Sequence, residues 1–168
     1  MRTANLDDIL AGSLCVSDSD VLLCAEQGVS SQAQRFIRRC ASGELKGVLP
    51  QSVWQELTHK LMLAEAMMRG VALNSSPANA IPEVIRGLTL YRTKVKSLID
   101  LGFGFESCQP SDLFERALPL QERYGLLINK AVLLAVAIRL KAQALISIDR
   151  TLSEITEIDF YSPTDLRR

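Results

Sequence analysis

Residues 125–150, GLLINKAVLLAVAIRLKAQALISIDR, decide the fold of this chain. The first half predicts a helix over residues 129–140, with Asn129 as its N-cap. No side chain from 131 to 138 is polar, so this helix lacks the polar face of a surface helix and is predicted to be buried. An apolar strand follows at residues 144–148 and stops at Asp149. A buried helix followed by a buried strand that ends on a carboxylate is typical of an α/β protein, in which ligands bind at the carboxyl edge of the sheet.

The composition limits the class of protein. The 168 residues suit a single domain, 1–168, and 48% of them are hydrophobic, which excludes a mainly disordered chain. No apolar run is long enough to cross a bilayer, and the first residues lack a signal sequence, so a cytoplasmic protein without membrane contact is predicted. A formal net charge of zero argues against strong non-specific binding of nucleic acid. One histidine and four widely spaced cysteines argue against a zinc site.

The rest of the chain alternates apolar strands with helices. Besides the strand at 144–148, strands are predicted at residues 13–17, 46–49, 103–108 and 158–161. Long helices are predicted at residues 51–69 and 82–101, and they form a two-helix arm at about residues 51–101. This alternation predicts a three-layer α/β/α sandwich around a mainly parallel sheet of about five strands.

Three carboxylates occupy positions that such a sheet brings together. Asp18 and Asp149 end two apolar strands, and Glu56 lies in the first turns of the helix that follows another strand. Closely packed carboxylates raise one another's pKa values unless a cation lies between them, and oxygen ligands suit Mg²⁺ or Mn²⁺. The positions therefore predict a divalent-cation site for phosphodiester chemistry. The alternative role of each strand-end aspartate is a helix cap or a turn.

Four sequence blocks resemble those of the PIN-domain family, the nuclease fold that includes toxins of toxin–antitoxin pairs. CVSDSDVLL places Asp18 at the family's first acidic position, and GVLPQSVWQELTHKL carries Glu56 in the second block. GLLINKAVLLAVAIRLKAQALISIDRTL covers the last two blocks, and Ser147 and Asp149 fit the end of the final strand. The blocks lie in the family's order and reach across nearly the whole chain.

The resemblance implies a divalent-metal-dependent endoribonuclease of the toxin type. Its catalytic metal ligands would be Asp18, Glu56 and Asp149. The residues implied around them, as substrate or supporting contacts, are Ser19, Asp20, Asn129, Lys130 and Ser147. The resemblance also implies Mg²⁺ or Mn²⁺ as the cofactor, RNA as the substrate, an antitoxin-like protein that docks on the two-helix arm, and a homodimer.

Lys130 departs from the family pattern. The family's third block begins with Asn-Asp, whose aspartate is a metal ligand, whereas this chain has Asn129-Lys130. An ammonium group has no lone pair for a metal, and a positive charge in the first turn opposes the helix dipole. We therefore predict a salt bridge from Lys130 to Asp18 or Asp149 that blocks or weakens the metal site. The alternative is that Lys130 swings into solvent and Asp20 supplies the missing carboxylate.

Two functions stay open from the sequence. A Mg²⁺-dependent ribonuclease is favoured by the resemblance, and a catalytically inactive PIN-fold protein that binds RNA or a protein partner is favoured by Lys130. A phosphatase of the haloacid-dehalogenase type would use the DSD motif at residues 18–20, but the acidic pair that it needs is missing after Asp149. The candidates for phosphate contact, with a solvated helix face as the alternative, are Arg35, Arg38 and Arg39.

Overall fold

A six-stranded parallel sheet forms the centre of the computed structural model, which describes residues 4–166. The strands in chain order are β1 (Ala4–Asn5), β2 (Leu14–Ser17), β3 (Lys46–Pro50), β4 (Gly104–Glu106), β5 (Ala144–Ile146) and β6 (Asp159–Ser162). They lie in the order β1-β6-β5-β2-β3-β4. Every pair of neighbouring strands is parallel, so the predicted direction of the sheet is confirmed.

Helices cover both faces of this sheet. The α-helices within residues 4–166 are α1 (Ser19–Glu26), α2 (Ser31–Ala41), α3 (Gln51–Met68), α4 (Ile81–Gly87), α5 (Leu90–Asp100), α6 (Leu118–Tyr124) and α7 (Ile128–Arg139). All residues of β5 are buried, and a strand that is buried at consecutive positions is covered on both sides. The fold is therefore the predicted three-layer α/β/α sandwich. Across residues 4–166, no helix has both the length and the apolar character of a membrane span.

Helix α7 is the buried helix that the sequence predicts. Every residue from Lys130 to Ala137 is buried. The helix begins earlier than predicted, because Gly125 ends α6 in a left-handed conformation with φ of 65° and the chain turns into α7 at Ile128. Leu127 occupies the N-cap position and provides no side-chain hydrogen bond. The predicted capping role of Asn129 is therefore wrong, since Asn129 already lies inside the first turn.

The predicted arm helix at residues 82–101 is broken into α4 and α5. The break lies at Leu88 and Thr89, beside Glu65 of α3. The Glu65 carboxylate accepts hydrogen bonds from the backbone N–H groups of Thr89 (3.0 Å) and Tyr91 (2.9 Å). A carboxylate from another helix therefore caps the start of α5, where the helix dipole favours negative charge. Because this cap comes from a distant residue, the local sequence predicts one continuous helix instead of two.

Glu65 is 4% exposed, and its ionisation is linked to this cap. Burial raises the pKa of Glu65, but the backbone N–H groups of Tyr91, Thr89 and Leu90 and the guanidinium of Arg69 together outweigh burial. The pKa of Glu65 consequently lies below its ordinary value of 4.5. The charged form of this carboxylate therefore joins α3 to α5.

Glu65→Gln is expected to lower the free energy of unfolding by roughly 1–3 kcal/mol at neutral pH, because the buried backbone donors lose a charged acceptor. Since the folded-state pKa lies below 4.5, this stabilisation is present above that value and is lost as the pH falls through the folded-state pKa. Urea titrations followed by circular dichroism should show the difference between wild type and variant closing in acid. The control is Glu83→Gln at an exposed position of α4, with an expected change within roughly 0.5 kcal/mol. A difference that does not vary with pH would contradict the charged cap.

Candidate functional site

Asp18 lies at the carboxyl end of β2, where the order of the strands reverses. Strand β2 has β3 on one side and β5 on the other, and the crevice above such a reversal is where α/β proteins bind ligands. The Asp18 carboxylate accepts a hydrogen bond from the backbone N–H of Ser19 at 2.8 Å and so caps α1. Asp18 is 1% exposed. Its carboxylate therefore has a structural role before any ligand is considered.

Lys130 enters this crevice from the first turn of α7. Its Nζ forms an ion pair with Asp18 Oδ2 and lies 3.8 Å from Asp20 Oδ2. Lys130 is 9% exposed, so its side chain does not swing into solvent, whereas the neighbouring Asn129 is exposed. The predicted salt bridge from Lys130 to a strand-end acid is confirmed, and its partner is Asp18. A buried ammonium group needs such a partner because an unpaired buried charge is strongly unfavourable.

Ser147 connects Asp18 to the end of β5. The buried hydroxyl of Ser147 donates a hydrogen bond to Asp18 Oδ2 at 2.7 Å and accepts one from the backbone N–H of Asp149 at 3.0 Å. Asp18 Oδ2 therefore receives both Ser147 Oγ and Lys130 Nζ, while Oδ1 receives the backbone N–H of Ser19. Three donors from three segments of the chain occupy most of the accepting capacity of Asp18.

A second lysine, Lys60 of α3, occupies the other part of the crevice, and the sequence interpretation missed it. Its Nζ lies 2.8 Å from Glu56 Oε1, forms an ion pair with Asp20 Oδ1 and donates to Ser19 Oγ at 3.2 Å. Burial lowers the pKa of Lys60, but hydrogen bonds to Asp20 and Glu56 and their charges outweigh burial and raise the pKa above 10.5. The signal in the sequence is the four-residue spacing of Glu56 and Lys60, which places both on one helix face.

The Asp149 carboxylate is used elsewhere. It accepts hydrogen bonds from the backbone N–H of Thr151 at 3.0 Å and from the Thr151 hydroxyl at 2.8 Å, and so caps the short 3₁₀ turn that follows. The backbone N–H of Asp149 joins the network through the Ser147 hydroxyl. Of the three predicted metal ligands, Asp18 and Glu56 thus pair with lysines of the crevice. Asp149 instead caps a turn, which is the alternative to a metal-binding role that the sequence leaves open for a strand-end aspartate.

The cluster does not fit the divalent cation that the resemblance implies. Among residues 4–166, no group of three or more His, Cys, Asp or Glu side chains is arranged to hold a metal ion. The crevice pairs the carboxylates of Asp18, Asp20 and Glu56 with two ammonium groups, so one net negative charge remains. An ammonium group offers no lone pair to a metal and repels it. A Mg²⁺ or Mn²⁺ site would therefore form here only if both lysines moved away.

Two arginines of α2, Arg35 and Arg39, hold neighbouring segments of the protein together. Arg35 pairs with Asp7 at 2.6 Å, and Arg39 pairs with Glu44 at 2.7 Å. Arg39 also donates hydrogen bonds to two backbone carbonyls of the segment before β2. These contacts favour a structural role for Arg35 and Arg39 over contact with phosphate.

A second concave surface, the helix groove, lies between α1 and α2 on one side and α3 and α5 on the other. It contains two adjoining cavities of about 310 Å³ and about 270 Å³. Glu26 of α1 and Lys94 of α5 form an ion pair of 2.6 Å that borders both cavities. The larger cavity has an apolar lining from Leu22, Ile37, Leu57, Leu61, Leu98 and Leu101. The helix groove thus offers apolar surface on the arm.

Ser147→Ala is expected to lower the free energy of unfolding by roughly 1–3 kcal/mol, because Asp18 loses a donor and the backbone N–H of Asp149 loses its acceptor. Urea denaturation at neutral pH, followed by circular dichroism, measures the change. Ser75→Ala is the matched control, since the Ser75 hydroxyl is exposed, and its effect should stay within roughly 0.5 kcal/mol. Equal stabilities of the two variants would show that Ser147 does not hold the Asp18 carboxylate.

Comparison with known proteins identifies the fold. Neither a family model nor a curated protein matches the chain. A toxin–antitoxin complex from Klebsiella pneumoniae is similar over 88% of this chain and 95% of that chain, with a TM-score of 0.56 and 16% identity. VapBC2 from Rickettsia felis, bound to a DNA fragment from their promoter, is similar over 89% and 98%, with a TM-score of 0.58 and 11% identity. PAE2754 from Pyrobaculum aerophilum is similar over 90% and 92%, with a TM-score of 0.51 and 16% identity. The chain therefore has the PIN-like fold that its sequence blocks predict.

Proposed function

We propose that this chain is a toxin-like PIN-fold protein of the cytoplasm that binds an antitoxin-like protein and does not hydrolyse RNA with a divalent metal. The observation that carries the proposal is the position of two ammonium groups among the crevice carboxylates. Lys130 pairs with Asp18, and Lys60 pairs with Asp20 and Glu56. Asp18 and Glu56 are two of the three acids that the resemblance assigns to the metal.

The hydrogen bonding of Asp18 supports the proposal. A metal ligand must direct free oxygen lone pairs at the ion, but Asp18 already accepts from Ser19, Ser147 and Lys130. To bind Mg²⁺, Asp18 would have to release the Lys130 ammonium, which is 9% exposed and would then keep only the more distant Asp20 carboxylate, at 3.8 Å. The loss of the close partner of a buried charge opposes that exchange.

The charge of the crevice supports the same conclusion for the substrate. Phosphodiester cleavage needs positive charge that is free to stabilise the phosphate oxygens. Here both ammonium groups are engaged by carboxylates, and the five charged groups leave one net negative charge. A phosphate group that approaches this crevice therefore meets a repulsive local charge.

The helix groove supports the protein partner. The chain shares its fold with chains of toxin–antitoxin complexes, and the groove lies on α3 and α5, the arm at which the sequence interpretation places a docked antitoxin. Its lining is mainly apolar and borders the exposed Met68 at the end of α3. Methionine side chains adapt to varied apolar partners. The homodimer that the resemblance implies is also part of this proposal. Measurement of the molecular mass of the purified protein in solution would test it.

The wild-type protein is expected to leave single-stranded RNA intact in millimolar Mg²⁺ or Mn²⁺, because lysines neutralise the acids that would bind the ion. The variant Lys60→Gln/Lys130→Asp should gain cleavage that Mn²⁺ stimulates by about tenfold or more over background, measured as the rate of fluorescent RNA fragment release. Adding Asp18→Asn to that variant is the control and should abolish the gain. Wild-type cleavage that Mn²⁺ stimulates and Asp18→Asn removes would overturn the proposal in favour of a metal-dependent ribonuclease.

Ser97→Arg is expected to weaken binding of the antitoxin-like protein by about tenfold or more, because the larger charged side chain occupies the helix groove that Ser97 lines. The measurement is the affinity of each variant for the antitoxin-like protein, by calorimetry. Ile99→Arg is the matched control, since Ile99 lies on the same helix, is 47% exposed and is not part of the groove lining. Equal weakening by both substitutions would show that the partner does not use the groove.

A further inference from the structure

We infer that the ammonium groups of Lys60 and Lys130 together cross-link the carboxylates of the crevice. This is the structural role that a divalent ion would have in the same fold. The inference rests on the proposed function, since it requires that no metal competes for the same carboxylates. Lys60, which lies outside the acidic positions of the family's sequence blocks, thereby has a structural role. The stability of the crevice is then independent of divalent ions.

The two lysines join four elements around Asp20. Lys130 extends from α7 to Asp18 at the end of β2 and lies 3.8 Å from Asp20 Oδ2 in α1. Lys60 extends from α3 to Asp20 Oδ1 and to the Ser19 hydroxyl. Asp20 therefore has one carboxylate oxygen near each lysine. The arrangement resembles a bridging metal ion, because each ammonium group lies near two carboxylates, Asp18 and Asp20 for Lys130 and Asp20 and Glu56 for Lys60.

Electrostatics favours a cation at this position. Asp18, Asp20 and Glu56 lie around one crevice, and carboxylates packed this closely repel one another unless positive charge lies between them. Their side chains are 2%, 28% and 24% exposed, so water does not fully screen them. The positive charge in this structure comes from Lys60 and Lys130, whose side chains are 30% and 11% exposed. Removing both lysines would leave three carboxylates without compensation.

The two lysines contribute unequally. Lys130 is the more buried, and its partner Asp18 is held from other sides by Ser147 and the backbone of Ser19. Breaking a buried pair leaves the other charge without a partner, whereas a partly exposed pair such as that of Lys60 loses less. Lys130→Met should therefore lower the melting temperature more than Lys60→Met does. In the double variant the crevice keeps all three carboxylates and no cation, which is the state that a divalent ion would stabilise.

The experiment compares the full chain with Lys60→Met, Lys130→Met and the double variant, each in EDTA and in millimolar Mn²⁺. In EDTA the melting temperature of the double variant should fall by about 5 °C or more below wild type. Mn²⁺ should raise it again by at least about 3 °C, because an ion that binds only the folded state stabilises it. Wild type should change by less than about 1 °C between the two buffers, since its sites are occupied by ammonium groups.

Mn²⁺ binding gives a second readout that is independent of melting. Electron paramagnetic resonance of free Mn²⁺ should show an affinity about tenfold or more higher for the double variant than for wild type. Adding Asp18→Asn should remove that gain. Lys96→Met, at an exposed position of α5, is the matched control for loss of a lysine and should behave as wild type.

The outcomes separate this inference from the proposed function. Any one of three results for the double variant overturns the inference. The variant is as stable as wild type in EDTA, Mn²⁺ does not stabilise it, or it fails to fold even with Mn²⁺. If wild type at the same time neither binds Mn²⁺ nor cleaves RNA, the proposed function stands. Wild-type protein that binds Mn²⁺ and cleaves RNA would overturn both.

Discussion

The buried ion pair between Asp18 and Lys130 constrains the structure around it. Removing either partner alone takes the close partner away from a buried charge, and breaking a buried pair in this way costs roughly 3–5 kcal/mol. Asp18 also caps α1 and accepts a hydrogen bond from Ser147, so three segments of the chain fix one carboxylate. The aspartate at this strand end therefore has a structural role of its own. Its presence in a nuclease-like block is not evidence of catalysis.

The rest of the crevice follows from the same charge balance. Once an ammonium group occupies the position of a metal ligand, the remaining carboxylates need positive charge from the protein itself. Lys60 supplies it to Glu56 and Asp20 at the rim. A lysine differs from a metal ion in one decisive respect, because it is covalently attached and cannot dissociate. If the two lysines cross-link the crevice as inferred, it keeps its cations at any concentration of divalent ions.

The sequence predicts those parts of the fold that the burial of apolar residues determines. The prediction fails where a contact with a residue distant in the chain determines the local structure. The apolar stretch of α7 and the alternation of strands and helices indicate the parallel sheet. The break between α4 and α5 is invisible locally, because Glu65 of α3 caps α5 from outside. Strand β1 is also missed, since its two residues, which pair with β6, are too few for any periodic pattern.

The site is predictable to the extent that electrostatics forces a contact. The salt bridge of Lys130 is one of two alternatives that the sequence leaves open, and the ion pair with Asp18 in the structure decides between them. Lys60 is detectable from its four-residue spacing to Glu56, but only after the helix is known to border the crevice. The direction of Asp149 is not detectable, because nearby backbone N–H groups compete for an aspartate side chain. In this structure the local donor, Thr151, prevails.

Helix α3 shows why a change of chemistry in the crevice need not affect the binding of a partner. Glu56 and Lys60 direct their charges towards the crevice, while Leu57 and Leu61, one position further along, line the helix groove. The crevice and the helix groove therefore lie on different faces of one helix, and none of these four side chains belongs to both. Lysines can neutralise one face without altering the apolar surface of the other. Under the proposed function, the fold keeps a docking surface although its nuclease-like site does not bind metal, which is why function must be argued from each site and not from the fold.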